Sequence, residues 1–309
     1  MSTGWVAAAV RAKAMARRRT GTSAARRIAA APSLDAGLRM LTGTAYADAA
    51  ESGDLARAEH AIRAEVLWQL RVLAGWMPPP AAPMARALAG GFEARNIVGH
   101  YRRLTGSSAE PAFRLGSLGT AWARLATTRS VEQLGRELSV SVWGVPEAAA
   151  PRSGAELHDL LTVIWMRRVA ALVPGVERWT AGRTALLAAR LILVERRRIP
   201  AELVRAAAPL LGSGWAAARD PAGLRAALPA TARWALSGVT AGEGLWRAEA
   251  ELRRRVEAAG FRELRAAMPG PGIAAGAFAV LAMDAWRLRA ALACAESRHR
   301  VGEVLDVVA

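Results

Sequence analysis

Glu93, Asn96, His100 and Leu104 follow one another at spacings of three and four within Gly91–Leu118, GFEARNIVGHYRRLTGSSAEPAFRLGSL, and so share one stripe of a helix. A carboxylate and an imidazole on one stripe are the parts of a general acid–base pair. The same stripe also reads as a polar seam, in which Glu93 and Asn96 hydrogen-bond a neighbouring helix or loop and fix its register. Two degraded copies of the segment favour the seam. Ala188 and Leu191 stand at the polar positions of the second, and Asp284 and Arg287 at those of the third. The common element is a packing helix, and no catalytic residue is assigned.

Other chemistries find little support. His60, His100, His158 and His299 include no pair at the i, i+4 spacing of a zinc-binding helix, so no metal is expected. Cys294 is the one cysteine, which excludes an internal disulfide. Its apolar setting, ALACAES, reads as a buried structural thiol in a reducing compartment. A phosphate-cradling loop needs glycines followed by Lys-Ser/Thr, and no such string occurs. Gly270-Pro271-Gly272 with Gly276 has the wrong spacing for a dinucleotide fingerprint and reads as a turn before the last helix. No cofactor is expected.

The elements that would carry these residues repeat. Glu93, Ala188 and Asp284 lie 95 and 96 residues apart, close to a third of the 309-residue chain. Leu115-Gly116-Ser117 after the first copy is echoed 96 residues later by Leu211-Gly212-Ser213. A second signal precedes each copy: Ser33 leads LDAGLRML, Ser130 leads VEQLGREL, and Asp220-Pro221 leads AGLRAAL. Each side-chain oxygen can accept from a free N–H at a helix start. The first two segments then close on an aromatic after a small-residue turn, Tyr46 in GTAYADA and Trp143 in SVSVWGV.

Composition is that of a helical protein: 53% hydrophobic, 6% aromatic, rich in Ala, Leu and Arg, with no sustained alternation of β-branched residues. Leu191–Val194 sits inside helical periodicity. The net charge is +16. Such an excess suits a polyanionic partner, and a basic, all-helical nucleic-acid-binding protein is the alternative reading. The charge is carried by arginine, Lys13 excepted, and is dispersed, which reads as solvated helix faces and coding bias. Arg17–Arg19, Arg196–Arg198 and Arg253–Arg255 are the compact runs, two of them in helical pattern near Glu195, Glu251 or Glu257. Of the 11 tryptophans, Trp68, Trp165 and Trp246 lie in helical pattern and read as core or helix–helix anchors. No signal peptide is expected. The longest apolar run, Ile273–Met283, falls short of the roughly 20 residues of a spanning helix.

The N-terminal third resembles the rotor-coupling, central-stalk adaptor of V- and A-type ATPases, of type d in eukaryotes and type C in archaea and bacteria. WVAAAVRAKAMARRR is similar to that family's opening helix, SLDAGLRMLTGTAYADA to its short helix ending in Thr-x-Tyr, and FEARNIVGHYRRLTG with FRLGSL to its acidic-x-x-Asn-aliphatic helix and the turn beyond. LAMDAWRLRAAL and VGEVLDVV resemble its closing helix, with Arg287 where the family has Asn. The residues that carry the motif are Glu93, Asn96, Ile97, Gly116, Asp284 and Leu288. The resemblance implies an all-α fold of three pseudo-symmetric lobes, 1–110, 111–205 and 206–309, forming a funnel. It implies a non-catalytic role as well: a socket on the cytoplasmic face of the membrane that couples the central shaft to the proteolipid ring. The partners implied are that ring, the shaft subunits and anionic lipid headgroups, with no nucleic acid.

Overall fold

A computed structural model describes residues 4–147 and 151–297, whose regular elements are all helices, with no strand among them. In chain order the helices begin with α1 (Gly4–Arg17), α2 (Gly21–Ala29), α3 (Leu34–Arg39), α4 (Ala47–Ala50) and α5 (Leu55–Trp76). Next come α6 (Ala82–Leu104), α7 (Trp122–Leu125), α8 (Val131–Ser139), α9 (Gly154–Leu172) and α10 (Glu177–Ala189). The chain continues through α11 (Ala201–Leu211), α12 (Pro221–Ala227), α13 (Ala230–Arg233), α14 (Leu245–Leu264) and α15 (Pro271–Ser297). His299 and the closing VGEVLDVV lie outside the described residues.

The three expected helix starts are built in the same way. Ser33 Oγ accepts from the Ala36 N–H at 3.2 Å, Ser130 Oγ from Gln133 at 3.2 Å, and Asp220 Oδ1 from Gly223 at 2.8 Å. In each the cap residue is extended, so its oxygen folds back over a donor that the helix cannot satisfy itself. The turns that follow the first two also match. Thr44 Oγ1 donates to the Leu41 carbonyl at 2.7 Å and accepts from Tyr46 N–H at 3.1 Å; Ser141 Oγ donates to Leu138 at 2.8 Å and accepts from Trp143 at 3.1 Å. Both aromatics are buried. After α12, α13 and a 3-10 turn at Trp234–Leu236 take that place. Ser130→Ala is expected to lower stability by about 1 kcal/mol; an unchanged urea midpoint would show that the cap contributes nothing.

The described structure divides into two compact units, one made of the chain up to Ala82 with the chain from Arg253 on, the other of Pro83–Leu252. In the first, α15 packs against α1, α2, α3 and α5. It also meets the end of α14 at backbone range: a Cβ on Gly276 would stand 2.7 Å from the Gly260 carbonyl oxygen, and one on Gly260 2.8 Å from that of Gly276. Only glycine at both positions lets the helix axes approach this closely. Cys294 is buried there as a free thiol.

In the second unit, α9 packs on α10 and α11, and α10 on α13. Trp165 lies over Gly90 and Gly91, whose added Cβ atoms would each come within 2.7 Å of the indole, and its Nε1–H donates to the Ala87 carbonyl at 2.8 Å. It is the helix–helix anchor that its helical setting implies. Trp68 is not: it is 48% exposed on α5, because the buried stripe of that helix runs through Ile62, Val66, Leu70 and Leu73. Trp246 is half-buried, with the Arg247 guanidinium 4.6 Å from its ring centre.

Leu191–Val194 is helical, as its periodicity implies, within a π-helical turn, Arg190–Val194, that prolongs α10. One further expectation changes. Arg196–Arg198 is not helical but forms the irregular link to α11, and Arg196 is the one non-glycine residue with positive φ, 49°, among the described residues. The wide turn stops the α-helical ladder, and Pro200 then resets the chain at the start of α11. No helix among the described residues is long and apolar enough to cross a membrane.

Candidate functional site

Glu93 is 1% exposed on α6, and its carboxylate is fully occupied. Oε1 accepts from the backbone N–H groups of Thr120, Ala121 and Trp122 at 2.8, 2.7 and 2.8 Å, and Oε2 accepts from the Thr120 hydroxyl. These donors lead into α7, so the side chain works as a remote cap, negative charge set against a cluster of free N–H groups. One turn on, Asn96 closes a 17-residue loop through both halves of its amide: Nδ2–H donates to the Phe113 carbonyl at 2.9 Å, and Oδ1 accepts from Phe113 N–H at 2.7 Å. Ile97 is buried beside them. Gly116 opens the 3-10 turn that follows, with φ of 57°.

His100 does not meet Glu93 as a proton-transfer partner. Its Nε2 faces the Thr128 hydroxyl at 2.9 Å and carbonyl at 3.1 Å, and its ring stands edge-on to Trp122. Burial lowers its pKa, opposed by the bond to Thr128. Each polar residue of the stripe thus holds a different part of the chain between residues 113 and 128.

Asp284 repeats the device in the other unit. It is wholly buried on α15, and accepts from Thr20 N–H at 2.9 Å, Gly21 N–H at 2.8 Å and the Tyr46 hydroxyl at 3.2 Å. Burial raises its pKa, opposed by the Gly21 and Thr20 N–H groups. It therefore carries α2 and the Tyr46 turn as Glu93 carries α7. Arg287 has no acceptor atom and cannot clasp a peptide group as Asn96 does. It makes a two-pronged pair with Glu257 instead, at 3.2 and 2.6 Å. Leu288 beside it is fully buried.

In the copy between them Ala188 and Leu191 are buried and apolar, and the polar work moves to α9. Asp159, 3% exposed, takes Arg190 at 2.6 Å and Arg197 at 3.0 Å, which pins the π turn and the link after it. Burial raises the Asp159 pKa, opposed by those two arginines. Its neighbour His158 sits in a cationic field. Burial, then Arg95, Arg183, Arg190 and Arg102, push its pKa down to about 4. Neither residue stood out in the sequence; the available signal was a His-Asp pair interrupting an apolar helical run, LHDLLTVIW.

Among the described residues no group of three or more His, Cys, Asp or Glu side chains converges as a metal site. What the geometry defines is an all-helical protein whose long helices hold remote loops through buried acidic side chains. No protein-family model matches the chain, and no curated protein matches it.

Proposed function

We propose that the chain is a non-catalytic central-stalk subunit of a rotary V/A-type ATPase, a socket that joins the rotating shaft to the proteolipid ring. The observation that carries the reading is the reuse of one construction at corresponding places of the repeat. Glu93 and Asp284 are buried anchors of remote backbone N–H groups, and Ser33, Ser130 and Asp220 cap short helices in the same way. Repetition of this kind supports an arrangement of three lobes, 1–110, 111–205 and 206–309, around a funnel. Torque transmission asks for stiffness, and the close helix approaches at Gly260–Gly276 and beneath Trp165 suit it.

In this reading the protein sits peripherally on the cytoplasmic face, its partners the ring, the shaft subunits and anionic lipid headgroups. Part of the +16 charge faces those headgroups, each Arg contributing about 1 kcal/mol near such a surface. Affinity capture of the tagged chain from gently solubilised membranes is the test. Recovery of proteolipid and shaft subunits is expected; recovery of nucleic acid in their place would support a basic helical nucleic-acid binder and end the proposal. Ring association is expected to weaken with rising ionic strength, and indifference to salt would remove the lipid contribution.

A further inference from the structure

A cleft opens beside the link between α10 and α11. It encloses about 640 Å³ between the π turn with that link, the turn from Ala216 into α12, and Ala241–Gly242. The arginines that line it are engaged to different degrees. Arg197 is neutralised: Asp159 and Glu195 each take it at 3.0 Å, with Glu156 at 3.7 Å. Arg196 and Arg198 are exposed, and neither guanidinium makes an ion pair or a hydrogen bond among the described residues. Arg219 donates through Nη1 to the carbonyls of Ala216, Ala217 and Ala218 at 3.4, 3.1 and 2.9 Å, neutral groups that fix its place but bring no opposing charge. Asp220 is the carboxylate among the lining residues, and its Oδ1 caps α12 through the Gly223 N–H. Arg196, Arg198 and Arg219 thus face a single negative charge in the cleft.

The fold makes no use of the Arg196 side chain. Arg196 takes the left-handed position that ends the π turn, with φ of 49°, while the N–H groups of Glu195 and Arg197 close the turn on the Arg190 and Leu191 carbonyls at 2.9 Å. Glycine suits such a position because it has no Cβ. Here an arginine is held in it under strain, with its guanidinium in water. The backbone that follows is unused too. The N–H groups of Arg198 and Ile199 donate no hydrogen bond among the described residues, and Pro200 disfavours helical backbone at Ile199. Half-buried Ile192, Leu193 and Pro221 give the cleft an apolar floor beneath the exposed arginines. No aromatic side chain lines it, so it offers a base nothing to stack on.

We propose that this cleft docks an extended acidic segment of a partner protein, with carboxylates alternating with apolar side chains. An extended chain sends successive side chains to opposite faces, so one face covers Ile192 and Leu193 while the other turns its carboxylates toward Arg196, Arg198 and Arg219. Guanidinium groups match carboxylates with two parallel N–H donors. The free N–H groups of the link meet the backbone carbonyls of the segment, as in other modes of extended-peptide recognition.

Fluorescence anisotropy with the full chain and a labelled peptide of about eight residues, glutamate alternating with leucine, tests this. Saturable binding is expected, weakening as ionic strength rises, with none for the same peptide carrying glutamine in place of glutamate. Arg196→Gly relieves the left-handed strain, so its melting temperature is expected to match or exceed that of the native chain while affinity falls about threefold. With Arg198→Gln added the loss is expected to reach about tenfold. Arg129→Gln, exposed ahead of α8, is expected to leave affinity unchanged. Absence of saturable binding, native affinity in the double variant, equal weakening by Arg129→Gln, or a lower melting temperature for Arg196→Gly would overturn the site. Oligothymidylate or phosphatidylserine vesicles serve as rival probes. If either loses more affinity than the peptide on the double substitution, the cleft serves phosphates and the acidic segment is ruled out.

Discussion

Glu93→Ala is expected to lower the unfolding free energy by about 3 kcal/mol or more, which makes it the most damaging single change considered. The substitution removes the acceptor for three successive backbone N–H groups and one hydroxyl. The Thr120 hydroxyl can turn elsewhere, and the half-buried N–H groups of Thr120 and Trp122 can recruit water, but the Ala121 N–H is buried and keeps its full desolvation cost. Glu93→Gln is expected to cost less, about 1–2 kcal/mol. It keeps an acceptor oxygen for the N–H cluster and presents an NH2 group to the Thr120 hydroxyl, which can accept as well as donate. Urea unfolding of the two variants and the native chain measures the order. If Glu93→Ala unfolds at the native midpoint, the carboxylate is not the anchor described above.

The second large effect is an acid sensitivity traced to one residue. The His158 pKa in the folded chain is about 4, against 6.5 for a free imidazole. Above the higher value the side chain is neutral in both states and contributes no pH dependence. As pH falls below it the unfolded chain takes up a proton that the folded chain refuses, and stability is lost until the folded pKa is reached. The loss across that window is on the order of 3 kcal/mol. His100, also lowered by burial, acts with the same sign. Asp159 and Asp284, raised by burial, act with the opposite sign, because the folded chain protonates first. The single variant His158→Gln isolates the imidazole from these. It is expected to flatten the fall in stability between about pH 6.5 and pH 4.5, with little change at about pH 8. Parallel curves for variant and native chain would mean that the imidazole protonates freely in the fold.

Much of the local structure was legible because it depends on neighbours within a few residues. Ser33, Ser130 and Asp220 mark where a helix begins, since the acceptor and the free N–H it serves are three residues apart. The failures have a common cause. Trp68 and Trp165 occupy comparable places in the repeat and both look like anchors by composition. Only Trp165 finds a pair of glycines on another helix to receive it, and nothing near Trp68 in the chain reports that. Arg196–Arg198 carried a helical pattern, yet the π turn before it breaks the ladder, an outcome tied to Arg190 and Arg197 reaching Asp159 more than 30 residues back.

The sequence by itself determined that the chain is helical, where its short helices start, and that Glu93 and Asp284 stand at matching places on two long helices. Those features follow from propensity, capping and periodicity, which act over a turn or two. The tertiary structure alone decided what the two carboxylates hold: Glu93 the start of α7, and Asp284 the start of α2, 263 residues away at Gly21. It also decided that His158 stays neutral among arginines from two other helices. A buried charge takes its meaning from whichever donors the packing brings to it, and desolvation makes those long-range partners count for more than anything adjacent in the chain.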